Sequence, residues 1–305
     1  MSMRVAAILT LGLLAAGGSA NAKAPRTCDR ACLTSVLDSY LTSVIRHEVK
    51  FAPLAPGYRQ TENAVEVRAG EGVWTSLVGL GDVQRRYLDT QNGSAAYFGL
   101  ANETGAAGAL LTLRIRVVDR KVAEAEWIIA RRGEALYNPG GLIAEPPPQG
   151  AIPPGDRAPR AALQAAANSY FAGLQGKDGK LVQHVPGCVR LENGTKVTQR
   201  RPPATAPAAP APPASANEFS DTDCASGLDR FAIRAVAHRR FPVIDEVQGV
   251  AVGYGMFLRP ADSSSQRLLL SEVFTTRAGK ITGIYAAMYY MPTALPETMG
   301  WPDGP

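Results

Sequence analysis

Two clusters in the sequence combine groups that could move a proton. The first consists of Arg85, Tyr87 and Asp89, and the second of Arg240, Asp245 and Glu246. A carboxylate or phenol beside an arginine can take a proton from a substrate or polarise a substrate oxygen. We therefore expect these six residues to be catalytic. The alternative is that each cluster is an exposed helix end at which arginine and aspartate form an ordinary surface ion pair.

The elements that must position these clusters occur twice, because residues 28–63 align with residues 158–193 without a gap. Ser39-Tyr40 falls on Ser169-Tyr170, Pro56-Gly57 on Pro186-Gly187, and Glu62-Asn63 on Glu192-Asn193. We predict domains at 23–137 and 160–292, a Pro/Gly-rich linker at 138–159 and a C-terminal tail at 293–305. The second domain carries a Pro/Ala-rich insertion at 201–218, whose composition favours a solvated loop that is dispensable for folding.

The signatures of several other enzyme chemistries are missing from this sequence. It has no Gly-x-Ser-x-Gly elbow, no phosphate-binding loop, no His-Glu-x-x-His motif and no dinucleotide-binding glycine pattern. Its three histidines, His47, His184 and His238, do not recur between the repeats, which argues against a triad centred on histidine. We therefore expect chemistry that uses no metal and no cofactor.

The N-terminus has the features of a cleavable signal peptide. Arg4 precedes an apolar run from Val5 to Ala16, and Ala20-Asn21-Ala22 is a small-x-small cleavage site. An uncleaved anchor is the alternative, but the run is shorter than the roughly 20 residues that a membrane-spanning helix needs. We predict that residues 1–22 are removed and that the mature chain is periplasmic or secreted, with no further membrane association.

The four cysteines predict two disulfide bonds in an oxidising compartment. Cys28 and Cys32 are four residues apart at the start of a predicted helix, which brings their Cα atoms within disulfide reach. Cys188 and Cys224 are left to pair with each other. The net charge of +5 comes from scattered arginines. Because no Lys/Arg block with interleaved aromatics is present, we expect no nucleic-acid partner.

Each repeat begins with helices and ends with strands. Apolar periodicity predicts a helix over Cys28–Arg46, then a Pro/Gly turn, a short strand at Val65–Val67 and a second amphipathic helix over Gly72–Tyr87. The strand candidates are Ala95–Glu103, Ala109–Val118 and Lys121–Arg131, and in the second repeat Leu268–Thr276 and Lys280–Tyr290. This order predicts the α+β class, with two tandem cone-shaped domains in which N-terminal helices pack on a curved antiparallel sheet. Glu124 and Glu126 alternate with Trp127 and are expected to face solvent.

Four patterns in the first repeat carry a family resemblance. They are Cys28-Asp-Arg-Ala-Cys-Leu, Arg59-x-Thr-Glu-Asn63, Gly70-Glu-Gly-x-Trp74 and Ala123-Glu-Ala-Glu126. The sequence resembles the nuclear transport factor 2-like (SnoaL-like, cystatin-like cone) superfamily, and more narrowly an uncharacterised domain of secreted fungal and bacterial proteins. The resemblance implies that an active site would lie inside a cone, between helix and sheet. There, apolar surroundings raise the pKa of a carboxylic acid, and a tyrosine or arginine becomes a strong donor to a developing oxyanion.

Five further residues are expected to contact a substrate. Tyr40 and Tyr170 occupy matched places on the first helices and are expected to face the cones, as substrate-contacting donors or as core aromatics. Glu62 and Asn63, with Arg59 shortly before them, are expected at the mouth of the first cone. The alternative for the Glu-Asn pair is a structural turn in which the asparagine takes a left-handed conformation.

These features predict an exported, cofactor-independent lyase, dehydratase or isomerase that acts on a small apolar or aromatic molecule. The resemblance makes lignin-derived aromatics one substrate class. The alternative is a non-catalytic secreted module that binds a small ligand or a protein. A paired acid or base inside one cone would favour the enzyme, and two cones filled by apolar side chains would favour the binding module. We expect the repeats to pack as an intramolecular pseudo-dimer, and homo-oligomerisation stays open.

Overall fold

The structure is a computed structural model, and it describes residues 28–198, 222–260, 267–292 and 294–302. The predicted signal peptide at 1–22 and the predicted insertion at 201–218 lie outside the described residues, so both stay predictions.

The first domain consists of one long helix and a six-stranded sheet. Helix α1 spans Arg30–Ile45, and the short helix α2 spans Val73–Ser76. The strands are β1 (Leu54–Glu62), β2 (Val65–Val67), β3 (Leu77–Asp89), β4 (Ser94–Glu103), β5 (Ala106–Val118) and β6 (Lys121–Ala130). They are ordered β2-β1-β6-β5-β4-β3, and all neighbours are antiparallel except β1 and β6.

The second domain repeats this arrangement after a linker that contains helix α3 (Pro139–Ala144). Its long helix α4 spans Arg160–Gly176. Its strands are β7 (His184–Glu192), β8 (Thr195–Lys196), β9 (Ala235–Asp245), β10 (Val250–Leu258), β11 (Arg267–Arg277) and β12 (Lys280–Met291). The order is β8-β7-β12-β11-β10-β9, again with a single parallel pair, β7 and β12. The predicted α+β class with two tandem domains is therefore confirmed.

Helix α1 forms where the sequence predicts it, because capping and apolar spacing agree. The Asp29 carboxylate caps the helix by accepting the backbone N–H of Cys32 at 2.9 Å. Leu33, Leu37 and Tyr40 then recur on one buried face, which packs on the concave side of the sheet. The sheet thus wraps the helix, and each domain has its own core between these two layers.

The predicted helix over Gly72–Tyr87 is wrong. Only Val73–Ser76 is helical, and Leu77–Asp89 is a strand paired with β4. The pairing shifts register between Leu80 and Gln84, which breaks the alternation of apolar and polar residues that marks a strand. Pairing with β4 therefore outweighed an apolar spacing that resembles a helix.

The predicted Pro/Gly turn after the first helix is also wrong. Pro56-Gly57 lies inside strand β1, and Pro186-Gly187 lies inside β7. In β1 the register against β6 shifts between Leu54 and Arg59, so this segment forms an irregularity in an extended strand rather than a reversal of the chain.

The two sheets pack against each other through their outer faces. Phe98, Leu110 and Ile128 of the first domain meet Tyr254 and Leu269 of the second in a third buried apolar cluster. At its centre the Ser271 hydroxyl donates to the Thr112 hydroxyl, with an Oγ–Oγ1 distance of 2.5 Å. The expectation that Glu126 faces solvent is wrong, because the second domain covers this face and leaves Glu126 only 1% exposed.

The C-terminal segment is packed rather than a free tail. Met299 is buried between the domains, and Trp301 is buried against the first domain. The Trp301 indole Nε1 donates to the Thr61 hydroxyl at 2.8 Å. The chain thus returns from the second domain to the first after β12.

Both predicted disulfides are confirmed, Cys28–Cys32 at the start of α1 and Cys188–Cys224 in the second domain. Among the described residues, no helix combines the length and apolar character needed to cross a membrane.

Candidate functional site

The interior of the second cone contains ionisable side chains from three elements. Arg190 and Glu192 are two residues apart on β7 and so lie on the same face of that strand. Glu272 projects from β11, and Tyr170 from the buried face of α4. All four approach one another between helix and sheet, where the surrounding core is otherwise apolar.

Arg190 links the phenol and one carboxylate of this group. Its Nη1 donates to the Tyr170 hydroxyl at 3.3 Å, and its Nε lies 3.2 Å from Glu192 Oε1. Glu272 differs from its neighbours. It is 3% exposed, and its Oε2 is buried without a hydrogen-bond partner among the described residues. A buried carboxyl oxygen without a partner needs an explanation, because leaving it unsatisfied costs stability.

The electrostatic surroundings favour the protonated form of Glu272. Burial raises its pKa well above the ordinary value of 4.5, and the nearby Glu192 carboxylate raises it further against the opposing effect of Arg190. Burial also raises the pKa of Tyr170, which therefore stays a neutral phenol. The cone thus combines a neutral acid, a phenol donor and an ion-paired carboxylate.

A cavity of about 40 Å³ lies beside these groups. Tyr170, Glu192 and Glu272 line its polar side. Its apolar side chains are Leu174, Phe257, Leu268 and Met288, and the partly exposed Phe231, Arg259 and Tyr290 complete the lining. The volume admits a few water molecules or one small functional group. A larger substrate would have to displace the partly exposed side chains.

The first cone contains no such group among the described residues. The Tyr40 and Tyr58 hydroxyls lie 2.6 Å apart, and the Trp74 indole Nε1 donates to Gln60 Oε1 at 2.8 Å. Leu113 is the equivalent of Glu272. Leu113 pairs with Trp127 on β6, which pairs on its other side with Glu62. Glu272 pairs with Ala286 on β12, which pairs on its other side with Glu192. Gln60, two residues before Glu62, likewise stands where Arg190 stands in the second domain.

The predicted substrate-contacting residues separate into two groups. Tyr170 lines the cavity of the second cone, whereas Tyr40 is enclosed in the filled first cone. Asn63 has a positive φ of 47°, and its side chain bonds both the N–H and the carbonyl of Ile129. Glu62 accepts hydrogen bonds from the Val73 N–H and Arg131. Arg59 pairs with Glu66 at 2.7 Å and lies over the Trp301 ring.

The six predicted catalytic residues do not lie in a cone, so that placement is wrong. They lie where the two domains meet, because β3 and β9 are strands whose residues reach the interdomain face. Asp89 and Asp245 bind arginines of the opposite domain, and Arg240 binds Glu126. Glu246 accepts hydrogen bonds from the Arg160 N–H and Gln91, Arg85 donates to the Pro147 carbonyl, and Tyr87 is buried.

The sequence contained one signal for the cone site that the periodicity argument missed. Glu272 is the single charged residue in the otherwise apolar and hydroxyl-bearing segment 268–276. A charge within a strand that is buried throughout is rare unless it is paired or functional.

Known proteins add little to this geometry. The model of the Domain of unknown function (DUF8021) matches residues 156–288, which cover the second domain almost to the end of β12. No curated protein matches the chain. A solved protein of unknown function with a cystatin-like fold, from Methylobium petroleophilum, is similar over 36% of this chain and 85% of its own, with 13% identity and a TM-score of 0.29. The fold assignment therefore rests on the strand order and helix packing of this chain.

Proposed function

We propose that this protein is an exported, cofactor-independent enzyme that transfers protons in the second cone, as a lyase, dehydratase or isomerase. The observation that carries the proposal is the buried Glu272, whose Oε2 has no hydrogen-bond partner among the described residues and which lines a cavity with Tyr170 and Glu192. Its pKa is raised well above the ordinary value of 4.5 by burial. A paired acid and base inside one cone is the feature that favours the enzyme over the binding module.

The three groups can share the work of one proton transfer. Glu192, as a carboxylate, takes a proton from the carbon next to a substrate carbonyl. Glu272 gives its proton to the carbonyl oxygen, so the substrate becomes an enol and the total charge does not change. The Tyr170 hydroxyl, which Arg190 holds, donates a hydrogen bond to the same oxygen as negative charge develops there. Elimination of water follows the same plan when Glu272 protonates a leaving hydroxyl.

The lining of the cavity supports a small apolar or aromatic substrate. Only the reacting group would enter the 40 Å³ cavity. The body of the molecule would displace Phe231 and Tyr290 and pack on Phe257 and Leu268. Lignin-derived aromatics are one substrate class of this kind.

Export is part of the proposal. Two disulfides are typical of proteins from oxidising compartments, which supports a mature chain in the periplasm or outside the cell.

The test is a turnover assay on a panel of hydroxy-carbonyl and aromatic compounds. We expect Glu272→Gln, which keeps the shape and removes the acid, to lower turnover about 100-fold or more. Tyr170→Phe should also lower it, whereas its matched control in the first cone, Tyr40→Phe, should not. Wild-type turnover by a folded Glu272→Gln protein would overturn the proposal.

The second candidate is a secreted binding module. The observation in its favour is that the first cone is filled by its own aromatic side chains, and that the second holds a cavity of only 40 Å³. This alternative predicts that a compound in the panel binds by calorimetry with no product formed, and that Glu272→Gln alters its affinity.

A further inference from the structure

A second and larger cavity lies between the two domains. Its volume is about 380 Å³, and four arginines line it, Arg114 and Arg116 from β5, Arg160 at the start of α4, and Arg240 from β9. It is separate from the cone site, because Arg114, Arg116 and Arg240 lie on the faces of β5 and β9 that meet between the domains. We refer to it as the arginine cleft.

Three of the four arginines in the arginine cleft are bound to carboxylates. Arg160 binds Asp89 at 2.8 Å, and Arg240 and Arg114 share Glu126 at 2.6 and 3.0 Å. Arg114 also binds Glu124 at 2.7 Å. Glu246 accepts the backbone N–H of Arg160 at 2.8 Å, so four carboxylates lie near the four guanidinium groups, and Arg116 is the arginine that binds none of them among the described residues.

Several donors of the arginine cleft are unused. Arg114 Nη2 and Arg240 Nε are buried and have no hydrogen-bond partner among the described residues. Both side chains are more than nine-tenths buried. Arg116, in contrast, is exposed, and its guanidinium forms no hydrogen bond or ion pair within the described part of the chain. Buried guanidinium donors without partners are costly, and the oxygens of a carboxylate or phosphate are the acceptors that a guanidinium prefers.

The arginine cleft also has apolar lining residues, Phe241, Pro242, Trp301 and Pro302, which we call the apolar wall. The Trp301 ring centroid lies 4.8 Å from the guanidinium carbon of Arg114, so the ring and the charge adjoin. A ligand could therefore place an apolar group against this wall while its anionic group reaches the arginines.

The corresponding place on the other side of the molecule lacks these features. Arg85, the equivalent of Arg240, donates to the Pro147 carbonyl of the linker at 2.5 Å. Val273 and Thr275 stand where Arg114 and Arg116 stand in the first domain. The linker covers one side of the interface and the arginine cleft remains on the other.

We propose that the arginine cleft binds a small organic anion, an oxyanion attached to an apolar or aromatic body. The oxyanion is a carboxylate or a phosphate, since arginine binds both through paired N–H donors. The volume fits a small ligand. This proposal does not depend on catalysis in the second cone.

Calorimetric titration of the full chain with benzoate, phenyl phosphate and inorganic phosphate tests the proposal. We expect benzoate or phenyl phosphate to bind, and the tighter of the two identifies the oxyanion. Inorganic phosphate should bind more weakly, because it has no group for the apolar wall. Arg116→Gln should weaken binding about tenfold, as expected for one lost hydrogen bond between charged groups. The exposed Arg132→Gln is the charge-matched control and should leave binding unchanged.

Two results would overturn the proposal. One is the absence of binding by both aromatic anions. The other is equal weakening in Arg116→Gln and Arg132→Gln, which would indicate attraction by net charge alone. Because Arg116 is exposed, its replacement should not disturb folding, and circular dichroism checks this. Glu272→Gln should leave anion binding intact, so failure here and failure of the cone site are distinguishable.

Discussion

The carboxylate of Asp245 binds the guanidinium of Arg30 through two hydrogen bonds of 2.7 and 2.9 Å across the boundary between the domains. Asp89 and Arg160 form the reciprocal pair at 2.8 Å. Asp245 also accepts the backbone N–H of Leu88, near the end of β3. Asp89 accepts that of Ile244, near the end of β9. The start of each long helix is thus fixed to the end of the other domain's edge strand.

Loss of this contact should destabilise the protein. Asp245→Asn removes the charge of a side chain that is 0% exposed while Arg30 stays in place. We expect the free energy of unfolding to fall by about 1.5–3 kcal/mol, less than for a fully buried pair, because Arg30 is 34% exposed and water can solvate it. Urea unfolding measures it. Asp38→Asn is the control, because Asp38 is 42% exposed in its pair with Arg86 and should cost less than about 1 kcal/mol. Equal losses in the two variants would contradict a structural role for the interdomain pair.

The buried C-terminal segment leads to a second prediction. Trp301→Ala removes an indole that packs on the first domain and donates to Thr61. We expect it to lower the free energy of unfolding by about 3 kcal/mol or more. Phe51→Ala, at an aromatic residue that is 63% exposed, should have little effect in the same experiment. A Trp301→Ala protein as stable as the parent would show that this segment is not held against the first domain.

The disulfides should differ in their contributions. Cys188 and Cys224 are 36 residues apart, whereas Cys28 and Cys32 are four apart. Loop-closure entropy therefore predicts losses of about 4 and about 2 kcal/mol when each pair is replaced by alanine. Thermal unfolding of the two double variants measures the order. Peptide mapping without reductant should recover both pairings, and a link between Cys28 and Cys188 would contradict them.

Much of the fold could be predicted from the sequence. The matched segments around Tyr40 and Tyr170 predict two domains of one topology, and the helical spacing of α1 is visible directly. Strand β3 could not be predicted in this way. Its register shift near Gly81 hides the alternation of a strand, and only its pairing with β4 makes Leu77–Asp89 extended.

The candidate site was less predictable. The sequence singles out Asp89 and Asp245 because each lies a few residues after an arginine, but only the packing of the two sheets makes them interdomain contacts. The importance of Glu272 depends on what surrounds it, since a glutamate on β11 becomes a neutral acid only when α4 and β7 close over it. Burial of this kind arises from residues distant in sequence, and the local pattern shows only that Glu272 is the single charged residue of segment 268–276.

The raised pKa of Glu272 should also appear in the stability of the protein. A carboxyl with a raised pKa in the folded state contributes stability below its unfolded value of about 4.5, and this contribution is lost as pH rises toward the folded pKa. Glu272→Gln removes this dependence. The stability of the variant relative to the parent should therefore increase above pH 4.5, by at most about 1.4 kcal/mol per pH unit. A difference that stays constant with pH would contradict this prediction.

The protonation state of Glu272 tests the cone site most directly. The side-chain carboxyl carbons of a protein labelled with carbon-13 at glutamate can be followed by nuclear magnetic resonance from pH 3 to 8, and the signal absent from Glu272→Gln identifies the residue. We predict that this signal keeps the position of a neutral acid to a pH well above 4.5, the ordinary value for a glutamate. Titration of the Glu272 signal near pH 4.5 would show an ordinary carboxylate and would contradict a neutral acid in the second cone.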